Sequence, residues 1–145
     1  MRSPVESRLP LTVVNPGESV TVDGLLIETI PALHPVPTLT IRVPELGFVY
    51  TADTGFTDEL VQLSQGAKLL LAEATYRAAD GVDVSGHGHL DGHSVADLAA
   101  QAEVEHLVIT HLADPDHMED IHAEAATRFE GRITMAKPTM TFDLG

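Results

Sequence analysis

Short apolar runs separated by turn signals fill the first third of the chain. Within each run apolar and polar residues alternate, or β-branched and other apolar residues cluster, and both patterns are typical of strands. Asn-Pro-Gly, Asp-Gly and Pro-Val-Pro sequences stand between the runs, and these residues favour turns. We therefore predict a meander of antiparallel strands over residues 11–14, 19–22, 25–30, 38–43 and 47–51.

The pattern changes after residues 53–55, from strands alone to strands that alternate with helices. Thr57 and Asp91 are good N-cap residues, and each precedes a segment whose apolar residues recur on one helix face. Asp114-Pro115 predicts the start of a third helix, because Pro suits the first helical position. The predicted helices cover residues 57–65, 91–102 and 115–129.

Further strands are predicted between and after these helices. Residues 68–74 and 106–110 are almost continuously apolar, as buried strands are, and strands are also predicted at 132–136 and 139–144. Residues 76–90 have no period and are predicted to form a loop. We expect residues 1–10 to be an irregular lead-in and residues 11–145 to form the domain.

Composition narrows the class of protein. A chain of 145 residues is long enough for one domain with a real core, and a hydrophobic fraction of 43% is typical of globular proteins. The absence of Cys excludes disulfides, thiolate metal ligands and a thiol nucleophile. No apolar run resembles a signal sequence or a membrane span. We predict a soluble, cytoplasmic protein with no membrane partner.

Charge argues against one class of partner. The net charge is −14, from 22 acidic and 8 basic residues, and the basic residues are dispersed along the chain. Binding to a phosphate backbone requires clustered positive charge, so long nucleic acids are disfavoured. A small-molecule substrate fits this composition better.

Polar residues with metal-binding side chains stand at the ends of apolar runs. His34 follows residues 25–33, Asp53 follows the run that ends at Ala52, His111 follows residues 106–110, and His89 lies in the sequence GHGHLDGH. A side chain at the end of a strand can leave the core and meet others at one rim of a sheet. The sequence therefore predicts a site at such a rim.

Each candidate also has a purely structural interpretation. His34 precedes Pro35 and is equally well explained as a turn residue, Asp53 could cap a turn, and His111 could bond to a backbone carbonyl. Glu73, at the end of an apolar strand, is harder to explain in this way because a buried carboxylate is costly unless it is paired. The histidines predicted to be solvated on the surface are His106, His117 and His122.

Several ordered motifs resemble the second half of a metallo-β-lactamase-fold hydrolase, in the branch of ribonuclease Z and related phosphodiesterases. In that branch a His follows the strand that here reads ETIPALH (28–34), and an Asp lies in a Y-S-G-D-T motif that here reads YTADT (50–54). An H-E-A-T motif here reads AEAT (72–75), and a final His follows the strand of LVITH (107–111). The resemblance implies an α/β (α+β) fold, the C-terminal half of an αββα sandwich, with a mixed sheet and helices on one face.

The family's defining H-x-H-x-D-H motif is absent from this sequence, which therefore resembles only one half of the family's domain. The run His87-x-His89-x-Asp91-x-His93 imitates that motif with one residue too many and follows a polar loop instead of an apolar strand. A metal cluster in this run stays open as the less favoured alternative. We favour His89 over His93 as the match to the family's catalytic His.

The resemblance implies a role for each candidate. His34 and His111 would each bind a different ion of a metal pair, and Asp53 would bridge the two. Imidazole and carboxylate ligands suit Zn²⁺ or Mn²⁺, and such ions activate water for hydrolysis. His89, oriented by Glu73, would protonate the leaving oxygen or stabilise phosphate charge. The implied catalytic residues are His89, Glu73 and Asp53, and the implied metal ligands are His34, Asp53 and His111.

Two hypotheses of function follow. The first is a metal-dependent hydrolase of phosphodiesters or related esters, incomplete until the half that bears H-x-H-x-D-H is supplied. The second is a catalytically inactive half-domain that associates with itself or with a partner. In both cases the apolar sheet face that the missing half would cover is left without that cover. We therefore predict a homodimer or a complex with the missing half. Bound metal would be partial or absent in this chain alone.

Overall fold

Within residues 11–145, seven strands form one mixed sheet, in which their spatial order is their order along the chain. The computed structural model describes residues 11–145. The first four strands pair antiparallel, and the last four pair parallel. The strands are β1 (Ser19–Val22), β2 (Leu25–Pro31), β3 (Leu39–Val43), β4 (Phe48–Tyr50), β5 (Leu69–Glu73), β6 (His106–Thr110) and β7 (Arg132–Met135).

Local turn chemistry sets the antiparallel part of the sheet. Asp23 and Gly24 have φ of 49° and 86°, and they form the two-residue hairpin between β1 and β2, with Val22 paired to Leu25. Positive φ at both central residues is the requirement of a type I′ turn, for which Asp-Gly is a preferred sequence. The predicted meander is therefore confirmed from β1 to β4.

Helices connect the parallel strands. They are α1 (Asp58–Ser64), the short α2 (Val84–His87), α3 (Gly92–Gln101) and α4 (Met118–Ala126). Both predicted N-caps are confirmed: Thr57 Oγ1 accepts a hydrogen bond from Leu60 N at 3.1 Å, and the Asp91 carboxylate accepts one from Ser94 N at 2.7 Å. None of the helices within residues 11–145 has the length and apolar character needed to cross a bilayer.

The helices pack on one face of the sheet. Alternate residues of β5 and β6 belong to one buried cluster with residues of α1, α3 and α4. Since successive residues of a strand point to opposite faces, this cluster lies on a single face. The predicted fold class, an α/β mixed sheet with helices on one face, is confirmed. Residues of the cluster include Leu70, Ala72, Leu107, Ile109, Leu60, Val95, Leu98 and Ile121.

Two predicted strands are wrong. Residues 11–14 pair with no strand of the described chain, and the turn at Asn15–Glu18 explains why: Glu18 N donates to Asn15 O, and the Glu18 carboxylate accepts from Asn15 N. Residues 139–144 also lie outside the sheet. There Pro138 and a positive φ of 70° at Thr139 turn the chain away from it.

Two other boundaries differ from the prediction. The third helix begins at Met118, after a 3₁₀ turn at Pro115–His117 in which Asp114 accepts a hydrogen bond from Asp116 N. Residues 76–90, predicted as a loop, contain a 3₁₀ turn at Ala78–Asp80 as well as α2. The predicted lead-in at residues 1–10 lies outside the described residues.

Candidate active site

The predicted site residues lie at one edge of the sheet. Asp53 follows β4, Glu73 ends β5 and His111 follows β6, and these three strands are parallel neighbours. His34 follows β2, which runs in the same direction as β4 because β3 is antiparallel to both. The carboxyl ends of all these strands therefore meet at one edge, where open α/β sheets usually place their ligands.

Glu73 lies at the centre of this edge, and its carboxylate is saturated with donors. Oε1 accepts from Thr54 N at 2.9 Å and from His89 Nδ1 at 2.8 Å, while Oε2 accepts from Thr75 N at 3.0 Å and from Thr75 Oγ1 at 2.7 Å. The Glu73 side chain is 1% exposed. A carboxylate offers about four lone-pair sites, so all of them are used. The burial of this charge is therefore compensated, as the sequence required.

The imidazole of His89 lies among aromatic neighbours. Its ring stacks on that of His111 with centroids 6.0 Å apart and an interplanar angle of 11°. The rings of His34 and Tyr76 meet it edge-on, at 5.2 and 5.9 Å. With Nδ1 bonded to Glu73 and a side chain 17% exposed, His89 is fixed in place yet reachable from solvent.

Asp53 and His111 form the more exposed part of the site. Asp53 Oδ2 lies 3.4 Å from His111 Nε2, and the two side chains are 33% and 49% exposed. His111 has a φ of 55°, and Ala52, which precedes Asp53, has a φ of 53°. Left-handed conformations at residues other than Gly are strained and occur often at functional sites. Both bends occur where the chain leaves a strand and enters the site.

The turn after β2 holds His34. Its Nδ1 lies 3.3 Å from both the amide N and the carbonyl O of Val36, and 3.4 Å from Thr38 Oγ1. The preceding residue, Leu33, donates its N–H to Thr54 Oγ1 at 3.0 Å. These contacts involve Nδ1 and the backbone, and they leave Nε2 of His34 available as a ligand.

The segment that carries His89 is anchored to α4. The Glu124 carboxylate accepts hydrogen bonds from Ala78 N at 2.8 Å and Ala79 N at 3.0 Å. Arg77 pairs with Asp120 at 3.0 Å, a contact that is worth little by itself because it is exposed. The anchoring of residues 77–79 therefore depends mainly on Glu124.

The spacing of Asp53 and His111 fits a divalent metal ion. Two ligand atoms about 2.1 Å from a tetrahedral ion lie about 3.4 Å apart, and the Asp53 Oδ2 to His111 Nε2 distance is 3.4 Å. A separation of this size is long for a hydrogen bond. The chemistry of the pair also fits, because carboxylate and imidazole are ligands of Zn²⁺ and Mn²⁺.

A second grouping involves Glu73. Among residues 11–145, Glu73, His89 and His111 offer ligand atoms that all lie within 4.8 Å of one another. The four hydrogen bonds that Glu73 accepts already occupy its lone pairs, so it has none free for a metal ion. The roles of His34, Asp53 and His111 as metal ligands, and of His89, Glu73 and Asp53 in catalysis, stay predictions.

The residues of the run from His87 to His93 lie in different elements and make different contacts. Asp91 caps α3, His93 lies within α3, and His87 lies in α2 with its ring 6.4 Å from that of Tyr76. Only His89 of this run contributes to the metal-capable group found within residues 11–145. His106, predicted to be solvated, is instead 8% exposed and its Nε2 lies 2.8 Å from Thr134 Oγ1. That prediction was wrong because β6 pairs on both sides, with β5 and β7, and because Phe142 lies against the His106 ring, with centroids 5.6 Å apart.

Two threonines for which no role was predicted also take part in the site. Thr54 joins the turn before His34 to the Glu73 carboxylate, and Thr75 contacts Glu73, His89 and His111. In the sequence they are the last letters of the motifs YTADT and AEAT. Their position one residue after Asp53 and two residues after Glu73 is the signal that could have found them.

Comparison with known proteins identifies the family. Residues 2–112 match the family model of the beta-lactamase superfamily domain. The chain belongs to this superfamily. Among solved structures, the metallo-beta-lactamase fold protein YhfI from Bacillus subtilis superposes with a TM-score of 0.80 at 28% identity, over 90% of this chain and 54% of that chain.

Ribonuclease Z proteins are also relatives of this superfamily member. Ribonuclease Z from Thermobifida fusca is 32% identical over 121 residues, which cover 81% of this chain and 38% of that protein. The short form of human tRNase Z has the same fold, with a TM-score of 0.64 at 20% identity over 87% of this chain and 46% of that one. The chain spans about half the length of the curated relatives it matches.

Proposed function

We propose that this superfamily member contributes the second half of the active site of a metal-dependent phosphodiester hydrolase. The observation that carries the proposal is the pairing of two polar contacts at one sheet edge. One is the buried Glu73–His89 hydrogen bond, and the other is the exposed approach of Asp53 to His111. The first can move a proton, and the second can hold a cation.

His34, Asp53 and His111 would hold the metal, and ligands from the complementary half would complete a pair of Zn²⁺ or Mn²⁺ ions. When bound, such ions activate water as a nucleophile and polarise phosphoryl oxygens. The ligand atoms offered by this chain are Asp53 Oδ2, His111 Nε2 and His34 Nε2. Three protein ligands are too few for two ions, so this chain alone would retain metal only weakly.

His89 is the proposed general acid. Its Nδ1 hydrogen bond to Glu73, at 2.8 Å, fixes the orientation of the ring. When the ring is protonated on both nitrogens, the opposite nitrogen, Nε2, is the atom that gives a proton to the leaving oxygen. Glu73 acts through His89 and has no lone pair left for the substrate.

The substrate class is supported by a relative and by charge. The relative from Thermobifida fusca is named a ribonuclease, and ribonucleases cleave phosphodiester bonds. The net charge of −14 opposes binding of a long nucleic acid by this chain. A small phosphodiester therefore fits better than a folded RNA, and a lactone or thioester would use the same groups.

Hydrolysis of bis-p-nitrophenyl phosphate tests this proposal. We would measure it, together with metal content, on the chain alone and after addition of a polypeptide that bears the H-x-H-x-D-H half of a metallo-β-lactamase fold. We expect hydrolysis only in the mixture. His89→Gln should lower its rate by about 10²–10⁴-fold with metal content unchanged, whereas His122→Gln, at an exposed position, should not. Absence of both metal and hydrolysis in the mixture would refute the proposal.

A second candidate function is association without catalysis. Large apolar side chains are exposed in the described part of the chain, and exposed apolar surface favours an interface. We propose a homodimer or a complex with the complementary half in either case. Light scattering that shows a stable monomer, alone and in the mixture, would exclude both. The exposed residues are Leu11, Val13, Val22, Leu25, Leu33, Val36, Met140 and Phe142.

A further inference from the structure

The hydroxyl of Thr75 lies at the junction of the site's polar groups. Thr75 directly follows the β5–Ala74 segment and is 8% exposed. Its Oγ1 is 2.7 Å from Glu73 Oε2, 3.1 Å from His89 Nδ1 and 3.0 Å from His111 Nδ1. One oxygen atom therefore contacts the buried carboxylate and both stacked imidazoles.

Only one assignment of donors and acceptors satisfies all three hydrogen bonds of Thr75 Oγ1. A hydroxyl has one proton to donate and two lone pairs, and an ionised carboxylate can only accept. Thr75 O–H must therefore donate to Glu73, whose other contacts are N–H donors. The two lone pairs of Thr75 Oγ1 are then left for His89 and His111. In both rings Nδ1 must carry a proton and donate it.

We propose that Thr75 is a positioning residue that fixes both imidazoles as Nδ1–H tautomers. The neutral rings of His89 and His111 then carry their free lone pairs on Nε2. In His111 this atom, Nε2, lies 3.4 Å from Asp53 Oδ2. The Nε2 lone pair and the carboxylate then face each other, an arrangement that a cation bound between them would stabilise. The tautomer of a His is set by the hydrogen bond of its other nitrogen, and Thr75 supplies that bond.

The two histidines depend on Thr75 to different extents. His89 Nδ1 has a second and closer acceptor, Glu73 Oε1 at 2.8 Å. Among residues 11–145, the structure gives His111 Nδ1 no hydrogen-bond partner besides Thr75. Loss of the hydroxyl should therefore release His111 and leave His89 unchanged. A general loss of packing would affect both rings, so the difference between them separates positioning from a merely structural role.

Long-range ¹H–¹⁵N correlation spectra of the metal-free chain test the assignment. The spectra are recorded at about pH 8.5, roughly two pH units above the ordinary imidazole pKa, because each neutral tautomer has a distinct pair of nitrogen shifts. We expect Nδ1–H patterns for His89 and His111 in the natural chain. In Thr75→Val, which keeps the shape, His111 should change to Nε2–H while His89 stays Nδ1–H. Thr75→Ser keeps the hydroxyl and should restore His111, and exposed His122 serves as the unaffected reference.

Metal affinity gives a second measurement. Partners that orient a ligating His typically contribute about tenfold to a hundredfold to affinity. Zn²⁺ binding to the chain should weaken by that factor in Thr75→Val and recover in Thr75→Ser. This consequence rests on the proposed function, whereas the tautomers do not depend on metal or on activity. An Nε2–H pattern for His111 in the natural chain would overturn the inference even if the Val variant fails to fold, as would an unchanged His111 in a folded Thr75→Val.

Discussion

Glu73 accepts a hydrogen bond from His89 Nδ1 at 2.8 Å, and it does so from a side chain that is 1% exposed. A buried carboxylate survives in a fold only when donors compensate its lost hydration. Here two backbone amides, a hydroxyl and an imidazole do so, and they come from the segments after β4, β5 and α2. The residue that orients His89 therefore also joins these segments.

Replacement of Glu73 by Gln should destabilise the fold. In either orientation of the amide, its NH₂ group faces two groups that donate hydrogen bonds to the carboxylate in the natural chain. Each buried donor left unsatisfied costs about 1–3 kcal/mol, and we expect a loss of that size in the free energy of unfolding. Urea denaturation measures it. Glu130→Gln, at an exposed position, is the matched control and should change stability by less than about 0.5 kcal/mol. Equal stabilities of the two variants would contradict the network described here.

Gly88 allows the segment before His89 to pass close to the turn that carries His34. A Cβ at position 88 would lie 2.7 Å from Leu33 O and 3.0 Å from His34 Cα. Gly81 has nearly the same backbone, with φ of 65° against 70°, but a Cβ there would meet nothing within 4 Å. The two glycines therefore share a left-handed backbone conformation, but only Gly88 has atoms packed closely against it.

Gly88→Ala should consequently be more harmful than Gly81→Ala. Both variants carry the strain of Ala in a left-handed conformation, about 1–2 kcal/mol. Only Gly88→Ala adds overpacking, for which we expect about 1–3 kcal/mol more. Thermal or urea unfolding of the two variants checks this difference. The His34 ring resonances should also shift in Gly88→Ala alone, and equal effects of the two substitutions would show that the close approach at position 88 is not real.

Local chemistry made much of the fold predictable. The caps at Thr57 and Asp91 bond to amides within three residues, and the Asp-Gly hairpin needs only its own two residues. Strands at 11–14 and 139–144 were wrongly predicted because pairing depends on a partner strand, which β-propensity does not reveal. His106 was wrongly predicted for a related reason, since its acidic neighbours in sequence do not reveal that β6 pairs on both sides or that Phe142 lies against the ring.

The site was predictable only in part. The alternation of strands and helices predicts that residues at the strand ends meet at one edge of the sheet. The roles of Thr54 and Thr75 did not follow, because their partners are distant in sequence: Thr75 and His111 are 36 residues apart. Hydrogen bonds of this kind depend on the register of parallel strands, and no local pattern records that register.

The stability of the fold should depend on pH through His106. Burial, and secondarily the charge of Arg132, lower the pKa of this imidazole below its ordinary value of 6.5. Below that value the unfolded chain binds more protons at His106 than the folded chain does, so stability rises with pH across this window. The stabilisation is complete above the unfolded pKa and is lost as the pH falls.

Urea midpoints measured between about pH 5 and pH 7.5 isolate this effect. His106→Gln keeps a polar group near Thr134 but cannot titrate, so its midpoint should fall less on acidification than that of the natural chain. His122→Gln, in which an exposed imidazole is lost, should keep the natural pH dependence. If the His106 variant follows the natural chain at every pH, the imidazole is not protected from protonation by burial.

Ala52 occupies a left-handed backbone position, with φ of 53°, immediately before Asp53. The Y-S-G-D-T motif that this segment resembles has Gly there, and Gly adopts this conformation without steric cost. Relief of the strain, about 1–2 kcal/mol, exceeds the added entropy of the unfolded chain, about 0.5–1 kcal/mol. Ala52→Gly should therefore stabilise the fold by about 0.5–1 kcal/mol.

The matched control for Ala52→Gly is Ala79→Gly, in the 3₁₀ turn at Ala78–Asp80. Ala79 is exposed and has no positive φ, so Gly there should destabilise the fold by up to about 1 kcal/mol. The two substitutions are chemically identical and should move the thermal midpoint in opposite directions. If both lower it, the bend before Asp53 is not strained. If only Ala79→Gly lowers it, this chain retains Ala at position 52 at a cost in stability, as expected for a bend that directs Asp53 toward His111.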